Sequence, residues 1–594
     1  MVDANRRFRA VRFNAYSVGR DEYALLSLAD RSVQRCSAGC VQVLQVCRVG
    51  RSLSDHVEEV DRSLRGSFDR SSVQALIDGL VTARLLVPLD DAEIEAPASV
   101  PEHCGRITTL GVVTADRPEP LKRCLESYTR HCAQNSSGVR FLVIDGSRQV
   151  ATQQATYDVV SESRRTSGVE IQYIGDAERR TLREVLIAKG FAPATVTFAI
   201  PDPIPAYTAG ASRNLLLLLT AGEGILSVDD DTICSVWADP HRHDGLSLYG
   251  HEYPCDMSFF SSRDEAVSAI QPANADLVGA HSELLGTPLS FLAKKAQDGI
   301  EDLHSCDHLT AAIVEKEPRS RVRMTFAGIA GDSAQYCGHQ LLFARGKTRS
   351  TMATSRVAYE RALFSREAHC IVRRLTVVHE GFCLTYCAGM DNRSLLPPFL
   401  PIFGNEDGVF GATLTFCDPF AFFGYLPFGI VHDSSRQSAR NGRPMSMSLT
   451  RISDVMTALI ANCPISKHQV TLPVRMERLG QYFCELSAVD VHDLMEVVFR
   501  TLLERRCYQF LWADSVAQHE FAYPDHWKDA VADVRETFLR KISRPEFFLP
   551  VECSASSAIE DGFLEVQRLL SQFGRLLKEW SDIWIYCRDI LPME

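Results

Sequence analysis

Apolar residues change their spacing along the chain, and each change predicts a new kind of element. Between about residue 20 and residue 88, YALLSLA reads as a strand. Cys40, Val43, Leu44 and Cys47 then recur at i, i+3, i+4 and i+7, the period of a helix face. Leu53, Val57, Val60 and Leu64 form a second stripe, with Ser52 placed to cap it. Val73, Leu76, Ile77 and Leu80 form a third, with Asp69 or Ser71 as cap. The unit ends at LLVPLDD, and the acidic, proline-containing DDAEIEAPASVPEH follows as a linker. Short strands and three helices predict a winged-helix type module over residues 1–92 and a linker over 93–105.

From Arg106 strands and helices alternate. ITTLGVV (107–113), RFLVI (140–144), EIQYI (170–174) and GILSV (224–228) are strand-length apolar runs. Asp116 is placed to cap the helix after the first run, Pro118 suits its first turn, and Glu119 completes a capping-box spacing. GASRNLLLLLTAG (210–222) reads as a helix. The expected fold class is α/β: a mostly parallel sheet flanked by helices, with polar residues and the site along its C-terminal edge. After about 240 the pattern weakens until MTFAGIAGDS (324–333), which reads as a strand and a glycine-rich turn. Asp332 there suits either a cleft or the turn itself. ISDVMTALIANC, VHDLMEVVFRTLLERRC, WKDAVADVRETFLRKI and GFLEVQRLLSQFGRLLKEWSDIW have helical spacing, so 441–594 is expected to be a helical appendage.

Composition narrows the class. The 594 residues carry 63 Lys+Arg and 75 Asp+Glu, a net charge of −12, with 45% hydrophobic and 23% charged residues. That excludes a disordered or collagen-like chain. The acidic balance argues against a general nucleic-acid binder, which needs a basic footprint. Nineteen cysteines are odd in number and scattered, without a C-x-x-C pair. Cys36/Cys40 and Cys383/Cys387 have a spacing that places two residues on one helix face. Buried, reduced thiols are expected rather than a zinc or disulfide framework. The start, MVDANRRFRAVRF, has no apolar signal core. Pro419 to Val431, the longest apolar run, contains two prolines and is too short for a bilayer. A cytoplasmic protein without a membrane span is expected.

ALLSLADRSVQRCSAGCVQVLQVCRVGRSLSDHVEEV, followed by VQALIDGLVTARLLVP, resembles the PqqD-like family of peptide-recognition domains. The resemblance covers about 70 residues, mostly as hydrophobic pattern. It implies a module that binds the leader of a ribosomally made peptide by adding it as a strand at a sheet edge. A winged-helix domain used only for packing or dimer contact is the alternative.

Four later motifs occur in order: VVTADRPEPLKRCLES, VIDGS, GASRN and LSVDDD. Together, over about 130 residues, they resemble family 2 glycosyltransferases with the GT-A fold. The second departs mildly, reading Asp145-Gly146-Ser147 where the family carries Asn or Asp beside the Asp. The resemblance implies a transferase core over 106–440, with a nucleotide-sugar half (106–240) and an acceptor half (241–440). It implies that Thr114 and Arg117 touch the nucleotide and that Asp145 meets its base or ribose. Arg213 contacts the donor sugar or diphosphate, or is a surface charge at a helix start. Asp231 is the implied metal ligand, and Asp229 reaches the ribose or the metal's water. Asp230 is the outward member of the triplet, counted with the donor-binding residues.

The residue types suit that chemistry. A diphosphate leaving group concentrates negative charge, which a divalent cation held by carboxylates can bridge. Read alone, three acids after a strand also make a solvated turn or helix cap. Asn405-Glu406-Asp407-Gly408 resembles the family's later Glu-Asp motif at a helix start. Asp407 is the favoured general base, with Glu406 positioning the acceptor or exchanging roles with it. An acidic first turn stabilised by the helix dipole is the alternative. His432 resembles the third metal ligand of several GT-A enzymes, and a core histidine is its other reading. Imidazole beside carboxylates suits Mn²⁺ better than Mg²⁺. Arg436 and Arg440 are placed to neutralise the diphosphate or to be surface charges.

The expected function is a metal-dependent, inverting transfer of a sugar from a nucleotide-sugar donor, with uridine the family's commonest base. The acceptor is a leader-bound peptide, or else a saccharide or secondary metabolite. A non-catalytic peptide-binding protein with a degenerate transferase fold is the alternative of a different class.

Overall fold

The computed structural model describes residues 6–11, 13–19, 21–27, 32–47, 51–63, 69–89, 106–135, 138–207, 209–248, 254, 256–295, 319–333, 341, 344, 346–379, 383–434, 450–464, 471–519, 525–555 and 558–590. Leu64, the 93–105 linker, Arg436 and Arg440 lie outside the described residues.

The N-terminal region contains β1 (Arg7–Ala10), β2 (Phe13–Ser17), β3 (Glu22–Ser27), β4 (Val33–Ser37), α1 (Ala38–Val46), β5 (Arg51–Ser52), α2 (Leu53–Ser63), α3 (Arg70–Thr82) and β6 (Leu86–Leu89). The order β2-β3-β4 is an antiparallel meander, and β1 pairs with β5 and β6. Asp69 caps α3 by accepting from Ser72 N–H at 3.0 Å. Ser52 Oγ accepts from Asp55 N–H at 3.1 Å at the start of α2. The expected helix stripes bury Val43, Leu44, Val57, Val60, Val73 and Ile77 with Phe8 and Tyr23 in a hydrophobic cluster of their own. The spacing therefore reports the packing here.

The rest is mixed α/β. A sheet of 13 strands carries helices on both faces. The first elements are β7 (Ile107–Thr114), α4 (Pro118–Asn135), β8 (Arg140–Asp145), α5 (Val150–Ser167), β9 (Ile171–Ile174), α6 (Asp176–Lys189), α7 (Pro193–Ala199), α8 (Ala209–Leu219) and β10 (Gly224–Asp229). β10, β7, β8 and β9 lie side by side and parallel. Next come β11 (Thr232–Ala238), β12 (Leu246–Ser247), β13 (Ser258–Phe259), α9 (Arg263–Ser268), β14 (Gln271–Pro272), α10 (Leu277–Leu284), α11 (Leu289–Lys295) and β15 (Arg321–Asp332). Then follow α12 (Gly346–Met352), α13 (Arg356–Phe364), β16 (Glu367–Cys370), β17 (Leu375–Val378), β18 (Cys387–Asp391), α14 (Glu406–Cys417) and β19 (Ala421–His432).

β18 runs antiparallel between β10 and β15, and β15 is parallel to β19. β7, β8, β9, β10, β15 and β19 therefore point the same way. Thr114, Asp145, Asp229, Asp332 and His432 end five of them at one edge. The glycine-rich turn expected at the end of 324–333 is instead part of β15, which runs to Asp332 because it pairs with β16 and β19 through that stretch.

Alternate strand residues face opposite layers. Phe141 and Val143 pack towards α4, while Leu142 and Ile144 pack towards α8. The tail forms α15 (Ile452–Asn462), α16 (Leu472–Ala488), α17 (Val491–His519), α18 (Asp525–Lys541) and α19 (Ile559–Ile590). α16 falls within the region expected to be helical but was not singled out there, although Met476, Leu479, Phe483 and Leu486 form a buried stripe along it. α19 packs against α16, α7 and α8, and is tied to the segment after β18: Trp580 Nε1 donates to Leu396 O at 2.7 Å and Trp584 Nε1 to Asn392 Oδ1 at 2.8 Å. Neither close cysteine pair lies on a helix face. Cys36 is in β4, and Cys387 opens β18. The fifteen described cysteines are free. Among the described residues no helix is long and apolar enough to cross a membrane.

Candidate functional site

The strand ends of β7, β8, β10, β15 and β19, with the start of α14, gather most of the sequence-predicted residues. β10 stops at Asp229, and β11 leaves at Thr232, paired antiparallel to β19 opposite His432. The Asp triplet therefore sits in the turn between two strands, beside the end of a third.

Its three members have different surroundings. Asp229 is the most open, with its side chain one-third exposed, and Arg213 Nη2 donates to its Oδ1 at 2.6 Å. Asp230 was expected to point outward, yet it is 3% exposed. It turns inward because two donors satisfy it: Thr114 Oγ1 at 2.7 Å and Arg117 Nη1 at 2.9 Å. Burial pushes its carboxyl up to about 7 against the pull of Arg117. Asp231 accepts from Arg117 Nη2 at 2.7 Å on Oδ2 and faces His432 Nε2 at 3.2 Å with Oδ1. Burial alone would raise it, but His432 and Arg117 hold it well below the usual carboxylate range.

His432 Nδ1 lies 2.6 Å from Asp332 O. A carbonyl only accepts, so Nδ1 carries the proton and Nε2 faces Asp231. Burial lowers this imidazole, but Asp231 and the Asp332 carbonyl outweigh burial and place it at about 9. Tyr386 stacks against the ring, with centroids 6.0 Å apart. Asp332 itself does not line the cleft, because its carboxylate is taken in a bidentate pair with Arg366 at 2.8 Å.

Asp116 does not cap α4. It sits at φ 57, its N–H donates to Ser147 Oγ at 2.8 Å, and its Oδ1 accepts from Arg148 N–H at 3.3 Å. The loop after β7 is thereby fastened to the loop after β8, and Pro118 becomes the first residue of the helix. Asp145, 2% exposed, accepts from Ser147 N–H and Tyr173 Oη, both at 2.8 Å. Burial pushes its carboxyl up against those hydrogen bonds.

The GASRN motif has a structural explanation. An added Cβ on Gly210 would lie 2.0 Å from Leu400 O, so only glycine lets α8 approach the segment before α14. Asn214 clamps that segment in both directions, accepting from Phe399 N–H at 2.7 Å and donating to Phe399 O at 3.0 Å. Arg213, 2% exposed, is not a surface charge: it spans Asp229 and Glu406, the latter at 2.5 Å. Burial opposes its charge, but the carboxylates around it prevail.

Glu406 and Asp407 open α14, as expected, after Asn405 at φ 61. Glu406 is 5% exposed, and burial pushes its carboxyl up to about 7 against Arg213. Asp407 is half-buried, and Gly408 N–H donates to its Oδ1 at 2.8 Å. Burial raises its carboxyl too. Tyr207, half-exposed, lies near both carboxylates, and the charge of Glu406 holds its phenol up. Sequence reasoning missed Tyr207, Tyr173 and Tyr386, because each sits outside any motif; Tyr173 read only as a strand position.

Among the described residues no group of three or more His, Cys, Asp or Glu side chains is placed to hold a metal ion. Of the expected ligands, Asp231 and His432 are adjacent, whereas Asp229 is turned to Arg213. The pair has the donor types of a cation site, one carboxylate and one imidazole, and a cation there requires His432 to give up its Nε2 proton. Ligands about 2.1 Å from one ion and at right angles lie roughly 3 Å apart, and a backbone carbonyl behind the imidazole sets its metal-binding tautomer. No protein-family model matches the chain, and no curated protein matches it in sequence.

Proposed function

We propose that the chain is a metal-dependent, inverting glycosyltransferase of the GT-A type that takes its sugar from a nucleoside-diphosphate donor. One observation carries this reading. Arg213 binds Asp229 of the triplet and Glu406 of the Glu-Asp pair at once, at 2.6 and 2.5 Å, beside Asp231 and His432. Motifs far apart in sequence thus converge on one sheet edge, where ligands of open α/β sheets bind.

Asp231 and His432 would hold the cation. Bound there, it offsets the charge of the diphosphate leaving group. Asp145, fixed by Ser147 and Tyr173, receives the nucleoside. Asp407 takes the proton of the acceptor hydroxyl or thiol as that atom attacks the anomeric carbon opposite the diphosphate. Glu406, held on Arg213, fixes the start of α14 and so the place of Asp407. No covalent sugar–protein bond is needed, and configuration inverts.

The test is donor hydrolysis and transfer with Mn²⁺, with a chelator, and in Asp407→Asn. Mn²⁺-dependent turnover that disappears in the variant supports the reading. A wild-type protein that neither binds nor turns over UDP-, GDP- or dTDP-sugars sinks it in favour of a non-catalytic binding protein.

A leader-bound peptide is the proposed acceptor. In support, β4 pairs only with β3 among the described residues, and it carries Val33 at 65% exposure. Such an edge accepts an added strand. Removing residues 1–95 should abolish binding of the cognate peptide and leave donor hydrolysis in place; binding that survives overturns this acceptor.

A further inference from the structure

Arg117 was expected to touch the nucleotide, and the structure places its guanidinium across Asp230 and Asp231. The contact is specific in geometry. Nη1 meets Asp230 at 2.9 Å and Nη2 meets Asp231 Oδ2 at 2.7 Å, while the arginine side chain stays 27% exposed. The loop carrying it is fastened to Ser147 and Arg148 through Asp116. A fastened base with an accessible end is suited to exchange between two partners without moving the loop.

We infer that Arg117 is a built-in competitor for the divalent cation: it occupies Asp231 in the absence of metal and moves to the donor diphosphate when metal binds. This rests on the nucleotide-sugar reading above and deepens it.

The two aspartates respond differently to the loss of Arg117. Asp230 keeps Thr114 Oγ1 at 2.7 Å and remains buried with a donor. Asp231 keeps only His432, and its Oδ2 becomes free. The opened position is therefore at Asp231, next to the imidazole. A dication at ligand distance interacts with that oxygen more strongly than a monocation at hydrogen-bond distance, and the proposal requires that this difference exceed the cost of dehydrating the ion. The displaced guanidinium is a planar fork whose five donors match phosphate oxygens. It starts within one side-chain length of the carboxylate that holds the metal. The self-paired state takes a share of the population, and the apparent metal affinity falls by that share.

Mn²⁺ binding is measured by electron paramagnetic resonance on the full chain, first without nucleotide. UDP binding is then measured by calorimetry at saturating Mn²⁺. For Arg117→Gln the expected result is Mn²⁺ affinity about fivefold tighter and UDP affinity about tenfold weaker. Arg117→Lys keeps the charge but loses the fork, and falls between wild type and Arg117→Gln on both measures. Circular dichroism and the urea midpoint establish that the variants fold. A purely structural role would weaken both affinities together, so Mn²⁺ affinity that is unchanged or reduced overturns the inference. If the wild type binds Mn²⁺ with UDP and Arg117→Gln changes neither affinity, this inference alone fails. If the wild type binds no Mn²⁺ with or without UDP, the metal reading fails and takes the inference with it.

Discussion

Arg213 and Glu406 form a buried ion pair at 2.5 Å across 193 positions of sequence. The same guanidinium holds Asp229 at 2.6 Å, so α8, β10 and α14 share one charge. Removing the arginine strands two carboxylates, one of them 5% exposed.

Arg213→Met should lower the unfolding free energy by about 3–5 kcal/mol, the cost of leaving a buried charge without its partner. Urea denaturation measures it. Adding Glu406→Gln should recover part of the loss, since it removes one stranded charge. A single-variant cost under about 1 kcal/mol would show that the pair does not hold the site together.

Asp407→Asn should lower kcat by about 10²–10⁴, the range for a lost proton acceptor, while UDP affinity at saturating Mn²⁺ changes little. Glu406→Gln should cost less in kcat and more in stability. The opposite pattern assigns the proton transfer to Glu406.

Transfer should depend on pH through Asp407. Burial raises its carboxyl above the usual range, and the base works only when deprotonated. The rate therefore rises with pH along a limb displaced upward from an ordinary aspartate, near 4. The charge of Asp407 raises Glu406, whereas Arg213, which pairs with Glu406, lowers Asp407 and acts on it more strongly once Glu406 is neutral. Glu406→Gln should move the limb towards acid, as read from a kcat profile, and a move towards alkali contradicts the assignment.

Asp231→Ala should abolish Mn²⁺-dependent UDP binding, because it removes the carboxylate beside His432. His432→Ala should weaken Mn²⁺ binding more than it shifts the urea midpoint. A collapse in stability with Mn²⁺ affinity intact would make His432 a core residue.

Gly210→Ala should cost about 1–3 kcal/mol, because the methyl would meet Leu400 O at 2.0 Å and α8 must retreat. Gly79→Ala is the control. Nothing lies within 4 Å of its added Cβ in helix α3, so it should stabilise that helix by about 0.5–1 kcal/mol.

Periodicity by itself determined where most elements lie. The stripes of α1, α2 and α3, the apolar runs of β7, β8 and β10, and the acidic start of α14 follow from local spacing and capping chemistry. Glycine-rich β15 was legible only in part, because its pairing with β16 and β19 is non-local and overrides turn propensity.

The resemblance of the motifs brought Asp145, Arg213, the Asp triplet, Glu406, Asp407 and His432 into one list of candidates, but it carried no information on which charges would meet. Only the tertiary structure put Arg213 between Asp229 and Glu406, turned Asp230 inward onto Thr114, and laid Arg117 across two aspartates. Local sequence sets backbone preference, whereas side-chain charge pairing depends on which strand ends a fold brings together and how deeply it buries them. Burial makes an unpaired charge costly, so each buried acid takes a cation from whichever element arrives beside it.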